Sequence, residues 1–576
     1  MPTPARSKID EAVATTPGSG PRRSIGFVAF VATLGSFLFG YDTGVISAAL
    51  PYMYMPHDAG SLHLTVAEEG WVGGTLLLGA ALGALLLAAY ITVWLLASWL
   101  RSPSLDSYGD MVENYAWGQT WEWGSFKHPP LFAWLVRLWF SVFPTEVWAY
   151  FLLSYVNAAV GALGIVALAT LWLPPSHDVR RDNARLLALL FALASLPYAN
   201  LAAKFNADTV LLSLWPWTAF CFFRAARPSA ALGWSVALGV LAAAAMLGKY
   251  FSGVLLLSLF LISLLRPWHS WYASPRPYVA LAVFAALLAP HVYWEWSLDF
   301  PFRQYLSGKF AGGDGAARMV SFALSAFYYW ALPWLLFAWL WRRWQRHATV
   351  LAPIFPRTSL VALTLLPAAI TLALHVLLGI HLTTHWAIPL WFALPALFTL
   401  WLLPKLPETP LWPQARRAVY GVALLVLVGS AGYVASTALR GKSSYYYSRQ
   451  ALVAAVEAVF AERYPGATLR WVGGTWAESA SFAFFAPSHP RALPGVPDAM
   501  PALVNPHPTW AREHGAILCT GTYGTGDDAA CEMQAEAWLT ARGAAVLRQE
   551  IVYRAQGWRY PRPQEKRAVV YWVAPE

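Results

Sequence analysis

YGDMVENYAWGQTWEWGSFKHPPL, residues 108–131, places carboxylates, a lysine, a histidine and several aromatic rings between two long apolar runs. Asp110, Glu113 and Trp117 have helical spacing, so the sequence predicts one shared face of a short helix. The paired prolines of HPPL then end that helix, because proline has no amide hydrogen to donate. The acidic pair faces either water, as on a solvated surface helix, or a cavity.

The composition indicates a polytopic membrane protein. The 576 residues are 58% hydrophobic and only 12% charged, whereas soluble domains are about 25% charged. The net charge of +10 predicts no nucleic-acid partner, because arginines in alternate short loops set the orientation of membrane spans. The expected partner is therefore the lipid bilayer.

Eleven apolar runs from residue 70 onward are predicted to span the membrane, and the segment before them raises the expected number to between 11 and 13. Loops rich in arginine and lysine alternate along the chain with loops that carry few of these residues. Because basic loops stay on the cytoplasmic side, this alternation predicts that the acidic loop at 101–130 lies outside. The runs lie at 70–100, 147–173, 184–201, 209–223, 230–247, 251–265, 278–296, 319–341, 359–380, 387–404 and 418–438.

The last segment, 439–576, has a different character. A helix-like stretch at 448–464 precedes strand-like runs, which predicts a small α/β domain outside the membrane. Pairing of Cys519 with Cys531 is open, and it would place this domain in an oxidising compartment such as the periplasm. The glycine-rich stretch at 521–531 lacks the lysine of a phosphate-binding loop, so we interpret it as a turn.

The N-terminal region does not match the rest. Residues 1–24 are polar and predicted to be disordered. GFVAFVATLGSFLFGYDTGVISAALPYM and the following LTVAEEGWVGGTLLLGAALGAL resemble the first two spans of sugar-porter transporters of the major facilitator superfamily. We therefore divide the chain into a disordered N-terminus, this fused segment at 25–86, a transmembrane domain at 87–438 and the C-terminal domain.

The fused segment creates a conflict of orientation. A transporter's second span runs inward, whereas the loop at 101–146 has the charges of an outer loop. We expect the eleven downstream spans to prevail. The run at 25–55 then either spans in the reverse sense or lies in the membrane interface.

Five segments occur in an order that resembles the polyprenyl-phosphate-dependent glycosyltransferases of the GT-C fold. The closest families are the bacterial relatives of protein O-mannosyltransferases and of lipid A aminoarabinose transferase, and the resemblance covers roughly residues 85–576. Besides the loop with its PPL turn, the segments are AKFNADTVLLSLWPW at 203–217, LGKYFSGVLLL at 247–257, LAPHVYWEW at 288–296 and THWAIPLWFALP at 384–395.

This resemblance implies transfer of a hexosyl or pentosyl sugar from a polyprenyl-phosphate carrier to an envelope lipid, glycan or protein. The site and the C-terminal domain would lie on the periplasmic side of a bacterial inner membrane. An acceptor hydroxyl needs a general base, and Asp110 matches the family's catalytic aspartate. The family often has a second acid directly after it, where this chain has Met111, so Glu113 either substitutes or only orients. No cofactor is certain, and a divalent cation is left open.

The resemblance also implies groups that bind the donor phosphate. Lys249 and Tyr250 lie at the family's lysine-bearing break between two spans. The alternative for Lys249 is a side chain that extends to the outer lipid headgroups. Lys204 and Arg303 are weaker candidates. Asp208 either caps the following helix or, as the family turn implies, orients Lys204 or the acceptor site.

Three histidines and a lysine complete the candidates. Lys127 and His128 flank the PPL turn, where they would contact donor or acceptor. His381 and His385 would form a metal-binding pair if that segment were helical. The preferred interpretation of His385 is a polar loop side chain near the cavity, with no metal.

Two other functions remain open. Residues 26–86 favour a sugar-porter transporter, but that class needs twelve spans in two similar halves, and the chain has a long first outer loop and a separate tail. An inactive scaffold that binds a polyprenyl lipid is the third possibility.

Overall fold

A computed structural model describes residues 85–174, 179–307, 315–345, 353–440, 449–494, 512–520, 528–557 and 560–575. The predictions for residues 1–24, for the sugar-porter-like segment up to residue 84 and for the turn at 521–527 lie outside these residues. The chain divides into two compact units, one of Met1–Leu86 with Leu138–Pro144 and one of Leu87–Arg137 with Thr145–Glu576. The site described below lies within the second unit.

Fifteen helices precede the C-terminal domain in the described part of the chain. They are α1 Leu85–Arg101, α2 Asp110–Gly118, α3 Leu131–Phe140, α4 Val147–Thr170, α5 Val179–Leu193, α6 Leu211–Ala225, α7 Leu232–Gly248, α8 Gly253–Ser263, α9 Arg276–Ser297, α10 Phe302–Ser307, α11 Gly315–Tyr329, α12 Ala331–Arg343, α13 Arg357–Leu378, α14 Leu394–Leu402 and α15 Trp412–Arg440.

Each of the eleven predicted apolar runs overlaps a helix within the described residues, but the helices differ in length. By length and composition, four helices among the described residues can cross a membrane, namely α4, α9, α13 and α15. The pair α11 and α12 bends by 51° and makes a fifth if it is counted as one span. The predicted class, a helical polytopic membrane protein with a small C-terminal α/β domain, is confirmed, and the exact number of spans stays a prediction.

The close approach of α4 and α6 depends on Gly161. A Cβ atom at this position would lie 2.1 Å from the backbone oxygen of Leu212 and 3.0 Å from the Tyr198 ring. Small residues allow such approaches, which dominate helix packing in membranes because lipid offers no hydrophobic drive for association. Leu212 lies in the first turn of α6, next to the loop that carries Lys204 and Asp208. Gly161 therefore helps to set the position of that loop.

The C-terminal domain contains α16 Arg449–Arg463, β1 Trp471–Gly474, α17 Trp476–Phe485, β2 Arg491–Pro494, β3 Gly515–Cys519, α18 Asp528–Thr540, β4 Leu547–Gly557 and β5 Tyr560–Val573. The strand order is β2-β1-β3-β5-β4. The first three strands pair in parallel, whereas β5 is antiparallel to β3 and β4. The predicted helix and strand-like runs are confirmed.

One face of this sheet is covered by α16. Phe460 of that helix packs in a buried cluster with Val472, Val570 and Trp572. Cys519 and Cys531 form a disulfide bond, which joins the end of β3 to α18. The pairing that the sequence left open is therefore present.

The C-terminal domain packs against α2 through aromatic rings. Tyr115 of α2 meets Phe484 edge-on at 5.1 Å between ring centroids, and Trp117 meets Trp476 at 5.4 Å. Edge-to-face pairs of this kind contribute about 0.5–1.5 kcal/mol beyond burial. The domain thus supports the helix that carries Asp110 and Glu113.

We predict that Gly161→Ala destabilises the protein by about 1–3 kcal/mol, because overpacking forces a well-packed contact apart. The measurement is the free energy of unfolding by denaturant titration in detergent. The matched control is Gly429→Ala in the middle of α15, where, apart from the helix's own backbone, no atom of the described residues lies within 4 Å of the added methyl group. The control should be neutral or slightly stabilising, since alanine favours helices over glycine. Equal values for the two variants would contradict the prediction.

Candidate active site

The first turn of α2 is held by the carboxylate of Asp106. Its oxygens accept the backbone N–H groups of Gly109, Asp110 and Met111 at 2.9–3.0 Å. The first amides of a helix have no partners within the helix, so a side-chain acceptor stabilises its start. Gly109 has a φ of 89°, a left-handed conformation that glycine adopts at little cost. This capping fixes the direction in which α2 presents its carboxylates.

A buried arginine of the C-terminal domain holds the same loop from the other side. Arg449 donates to the backbone oxygens of Ser104 and Asp106 at 2.7 Å and of Ser107 at 3.2 Å. A Cβ atom on Gly109 would lie 2.9 Å from the Ala477 side chain. The loop is therefore positioned by a domain more than 300 residues later in the chain.

A second loop, between α5 and α6, meets the first one at Asn206. The side-chain oxygen of Asn206 accepts the backbone N–H groups of Asp208 and Thr209, and its amide donates to Asp110 Oδ2 at 3.0 Å. Asn114 of α2 donates to the backbone oxygen of Phe205 at 2.7 Å. These bonds lock the two loops together beside one cavity.

That cavity has a volume of about 210 Å³. Polar and charged side chains dominate its walls, and they come from α2, the PPL turn, the loop before α6, the break after α7 and the segment before α14. The lining residues are Tyr108, Asp110, Glu113, Asn114, Lys127, His128, Lys204, Asn206, Ala207, Asp208, Lys249, Thr383, His385 and Trp386.

Each lysine of the cavity has a carboxylate partner. Lys127 Nζ lies 3.1 Å from Glu113 Oε2. Lys204 Nζ lies 2.7 Å from Asp110 Oδ2 and 3.5 Å from Asp106 Oδ2. The third cation, Lys249, pairs with Asp208, and both of these side chains are buried.

Each lysine also faces an aromatic ring, with 5.2–6.0 Å between Nζ and the ring centroid. Such cation–π contacts add a weaker attraction that fixes the direction of the ammonium group. The pairs are Lys127 with Trp117, Lys204 with Tyr108, and Lys249 with Trp386.

The surroundings shift the pKa values of two carboxyls in opposite directions. Burial alone would raise the pKa of Asp110, but the charge and hydrogen bond of Lys204, with help from Lys127 and Asn206, hold it below its ordinary value. Burial raises the pKa of Glu113 to about 7, because the Lys127 charge only partly offsets the desolvation. Although burial opposes its charge, Lys204 has a raised pKa because Asp106 and Asp110 lie beside it.

Most of the residues predicted from the sequence meet at this cavity. Asp110, Glu113, Lys127, His128, Lys204, Asp208, Lys249 and His385 all line it. Tyr250 lies next to Lys249 but outside the lining, and Arg303 forms an exposed contact with Asp299 at 4.0 Å.

The contacts bear on two of the open interpretations. Asp208 does not cap α6, which begins at Leu211, and it pairs with Lys249 rather than with Lys204. The side chain of Lys249 is buried in that pair instead of extending to headgroups.

The segment at 381–383 is irregular and 384–387 forms a short 3₁₀ helix, so His381 and His385 lack the helical spacing that their metal-binding alternative requires. Across the described ranges there is no group of three His, Cys, Asp or Glu side chains arranged to hold a metal ion.

Three site residues have no strong sequence signal. In the sequence, Asp106 is one of several acidic residues in its loop. Asn206 is the asparagine of the NADT turn, and its hydrogen bond to Asp110 joins positions 96 residues apart. Trp386 is one of 32 tryptophans. Asn206 and Trp386 lie in segments quoted for the family resemblance, at 203–217 and 384–395, and that position is the signal that could have found them.

A polar cluster beside the cavity joins α9 to the loop between α2 and α3. Tyr250 Oη donates to Glu295 Oε1 at 2.7 Å and lies 2.8 Å from His291 Nε2. The other ring nitrogen of His291 lies 2.5 Å from the backbone oxygen of Trp123. Tyr250 therefore supports the site indirectly, through the loop that leads to the PPL turn.

Comparison with known proteins yields two separate matches. Residues 127–294 match the model of the dolichyl-phosphate-mannose-protein mannosyltransferase family. Residues 28–94 match the model of the sugar (and other) transporter family. The first match includes Lys127, Lys204 and Lys249, and it begins after Asp110.

Among curated proteins, the matches are short. The metabolite transport protein YfiG of Bacillus subtilis (strain 168) is 55% identical over 58 residues, which are 10% of this chain and 11% of that protein. A D-xylose transporter of Levilactobacillus brevis is 49% identical over 61 residues, 11% of this chain and 12% of that one. The chain thus spans only about an eighth of these relatives.

Among solved structures, ArnT from Cupriavidus metallidurans bound to undecaprenyl phosphate aligns with a TM-score of 0.49 and 15% identity, over 86% of this chain and 99% of that one. Its apo structure aligns with the same TM-score and 16% identity, over 88% and 100% of the two chains. The family matches confirm both resemblances expected from the sequence: residues 127–294 resemble dolichyl-phosphate-mannose-protein mannosyltransferases, and residues 28–94 resemble sugar transporters.

Proposed function

We propose that this chain is a membrane glycosyltransferase that moves a sugar from a polyprenyl-phosphate carrier to an envelope lipid, glycan or protein on the periplasmic side of a bacterial inner membrane. The observation that carries the proposal is the convergence of a carboxylate and three lysines on one cavity. Asp110 faces the same space as Lys127, Lys204 and Lys249. The family match over residues 127–294 independently favours a lipid-phosphate sugar donor.

In the proposed reaction, Asp110 is the general base. The acceptor hydroxyl oxygen forms a bond to the anomeric carbon while the bond from that carbon to the carrier phosphate oxygen breaks. The electron pair leaves with the phosphate, and the acceptor proton passes to Asp110. The low pKa of Asp110 keeps its carboxylate ionised, so it needs no prior deprotonation.

The lysines supply the charge that a departing phosphate needs. Ammonium groups stabilise a phosphate most strongly where water is scarce. Lys249 meets this condition, since its side chain is only 9% exposed and its partner Asp208 is 11% exposed. A bound phosphate would compete with Asp208 for the ammonium group of Lys249. Lys249 is therefore the lysine whose contacts should differ most between the donor-bound and the empty cavity.

A specific observation favours a second candidate, transport of a small metabolite: the match of residues 28–94 to sugar transporters. That match covers little of the chain, and the charged cavity is built entirely from residues beyond it. Removal of residues 1–84 separates the two. A glycosyltransferase should keep sugar transfer, whereas a transporter that uses this segment should lose uptake in proteoliposomes.

We predict that Asp110→Asn lowers the rate of sugar transfer at least 100-fold, because general-base catalysis typically contributes 10²–10⁴-fold. The measurement is transfer from radiolabelled polyprenyl-phosphate sugars to a membrane extract. Donor binding should change much less than the rate, because the three lysines remain.

The matched control for this variant is Asp182→Asn, an exposed carboxylate that pairs with Arg185 on α5. It should transfer sugar at the wild-type rate. Wild-type turnover by Asp110→Asn would exclude Asp110 as the base, and binding without any transfer by the wild type would point to the scaffold interpretation.

We predict a pH-dependent stability difference between the wild type and Glu113→Gln. The folded protein holds a proton on Glu113 up to about pH 7, whereas the unfolded chain releases it near 4.5. The folded state therefore binds more protons in this window, so the contribution of Glu113 to stability falls as pH rises, by up to about 3 kcal/mol.

Thermal unfolding in detergent at pH 5, 6, 7 and 8 measures this difference. The wild type should lose stability relative to Glu113→Gln between pH 5 and 7, and the difference should level off above pH 7. Parallel curves for the two proteins would show that burial does not raise the pKa of Glu113.

A further inference from the structure

A second group of cations lies at the other end of α6 and α7, far from the cavity. Asp208 precedes α6 and Lys249 follows α7, whereas Arg224 and Arg227 lie where the two helices are joined. The 15 residues of α6 span about 22 Å at 1.5 Å per residue. This arginine group is therefore separate from the proposed active site.

Four arginines form this group, which we call the basic corner: Arg224, Arg227, Arg276 and Arg357. Arg276 donates to the backbone oxygen of Arg227, and Arg227 donates to the backbone oxygen of Leu171 at 3.3 Å. The Arg227 guanidinium lies 5.0 Å from the centroid of the Phe355 ring. Arg357 follows Phe355 by two positions at the start of α13.

The basic corner has no acidic partner within the described ranges. None of its four arginines forms an ion pair with a described carboxylate. The buried Nε atoms of Arg224, Arg227 and Arg357 also lack hydrogen-bond acceptors there. Burial and the neighbouring charge of Arg224 lower the pKa of Arg227. A bound anion would reduce the repulsion between the guanidinium groups and would accept hydrogen bonds from the unsatisfied Nε donors.

Rigid aromatic packing holds the basic corner in place. Trp172 packs against Phe223 at 4.8 Å and Phe355 at 5.9 Å, and Trp268 packs against the same two rings at 5.0 and 5.1 Å. The signal that orients a membrane protein needs only positive charge in a loop. It does not need guanidinium groups fixed on an aromatic cluster with buried, unsatisfied donors.

The surroundings favour a lipid over a free anion. Exposed apolar side chains flank the basic corner on several sides. Leu232 begins α7, and Leu264 and Leu265 follow α8. The backbone N–H of Ile354 donates to the backbone oxygen of Trp172. These four apolar side chains are 44–53% exposed. Acyl chains would cover these side chains while the headgroup meets the arginines, and basic pockets at helix ends bind anionic lipids in this way.

We infer that the basic corner binds the phosphate group of an anionic phospholipid, at the opposite end of the helices from the sugar-transfer cavity. Guanidinium groups suit this ligand because they donate parallel hydrogen bonds to phosphate oxygens. The inference does not depend on the proposed function, since none of these arginines lines the cavity.

The test is native mass spectrometry of the full-length protein in neutral detergent, titrated with phosphatidylglycerol and, separately, with phosphatidylcholine. The wild type should retain phosphatidylglycerol selectively. The double variant R224Q/R227Q should bind it on the order of tenfold more weakly, because two charge-assisted hydrogen bonds are removed. The matched control R185Q removes an exposed arginine that already pairs with Asp182, and it should bind like the wild type.

Further arms keep the outcome decisive. R224K/R227K retains the charge and should bind with intermediate affinity, and R357Q tests the corner if the double variant fails to fold. Equal binding by wild type and R224Q/R227Q would overturn the inference, as would displacement of the lipid by millimolar inorganic phosphate, which would identify a free anion as the ligand.

Discussion

The candidate site depends on where the Lys204 ammonium group lies. It bonds to Asp110 Oδ2 at 2.7 Å and approaches Asp106 at 3.5 Å, so one cation serves the carboxylate that caps α2 and the carboxylate that faces the cavity. Without this cation, the two neighbouring carboxylates would carry like charges where water is scarce, and one of them would take up a proton. Lys204 therefore allows Asp110 to stay ionised while Asp106 continues to hold the helix.

The charge of the cavity follows from the same arrangement. Three lysines and three carboxylates line it, so their formal charges cancel when all six are ionised. The raised pKa of Glu113 breaks this balance near neutral pH, because a protonated Glu113 leaves a positive excess. Such an excess favours an anionic ligand. The burial of a single side chain thus links the acidity of the surroundings to the affinity of the cavity for phosphate.

Much of this molecule could be predicted from its sequence. The helix that carries Asp110, Glu113 and Trp117 follows from their spacing alone. The side of the membrane on which each loop lies, inferred from charge alternation, stays a prediction. The family resemblance implied most of the residues that line the cavity. Long-range contacts could not be predicted: Arg449 reaches the loop before α2 across more than 340 residues, and nothing in the pattern of α16 marks it. The pairing of Asp208 with Lys249 joins positions 41 residues apart, and no local pattern in the sequence indicates it.

The cysteines have a practical consequence. The chain contains three of them; two are joined in the C-terminal domain and Cys221 is buried in α6. The native protein therefore offers no accessible thiol to a maleimide reagent. Single cysteines introduced into loops would carry a fluorophore or spin label at one known place, without removal of any natural cysteine, provided that no reductant opens the Cys519–Cys531 bond. The sidedness of every loop can then be mapped on an otherwise unaltered chain.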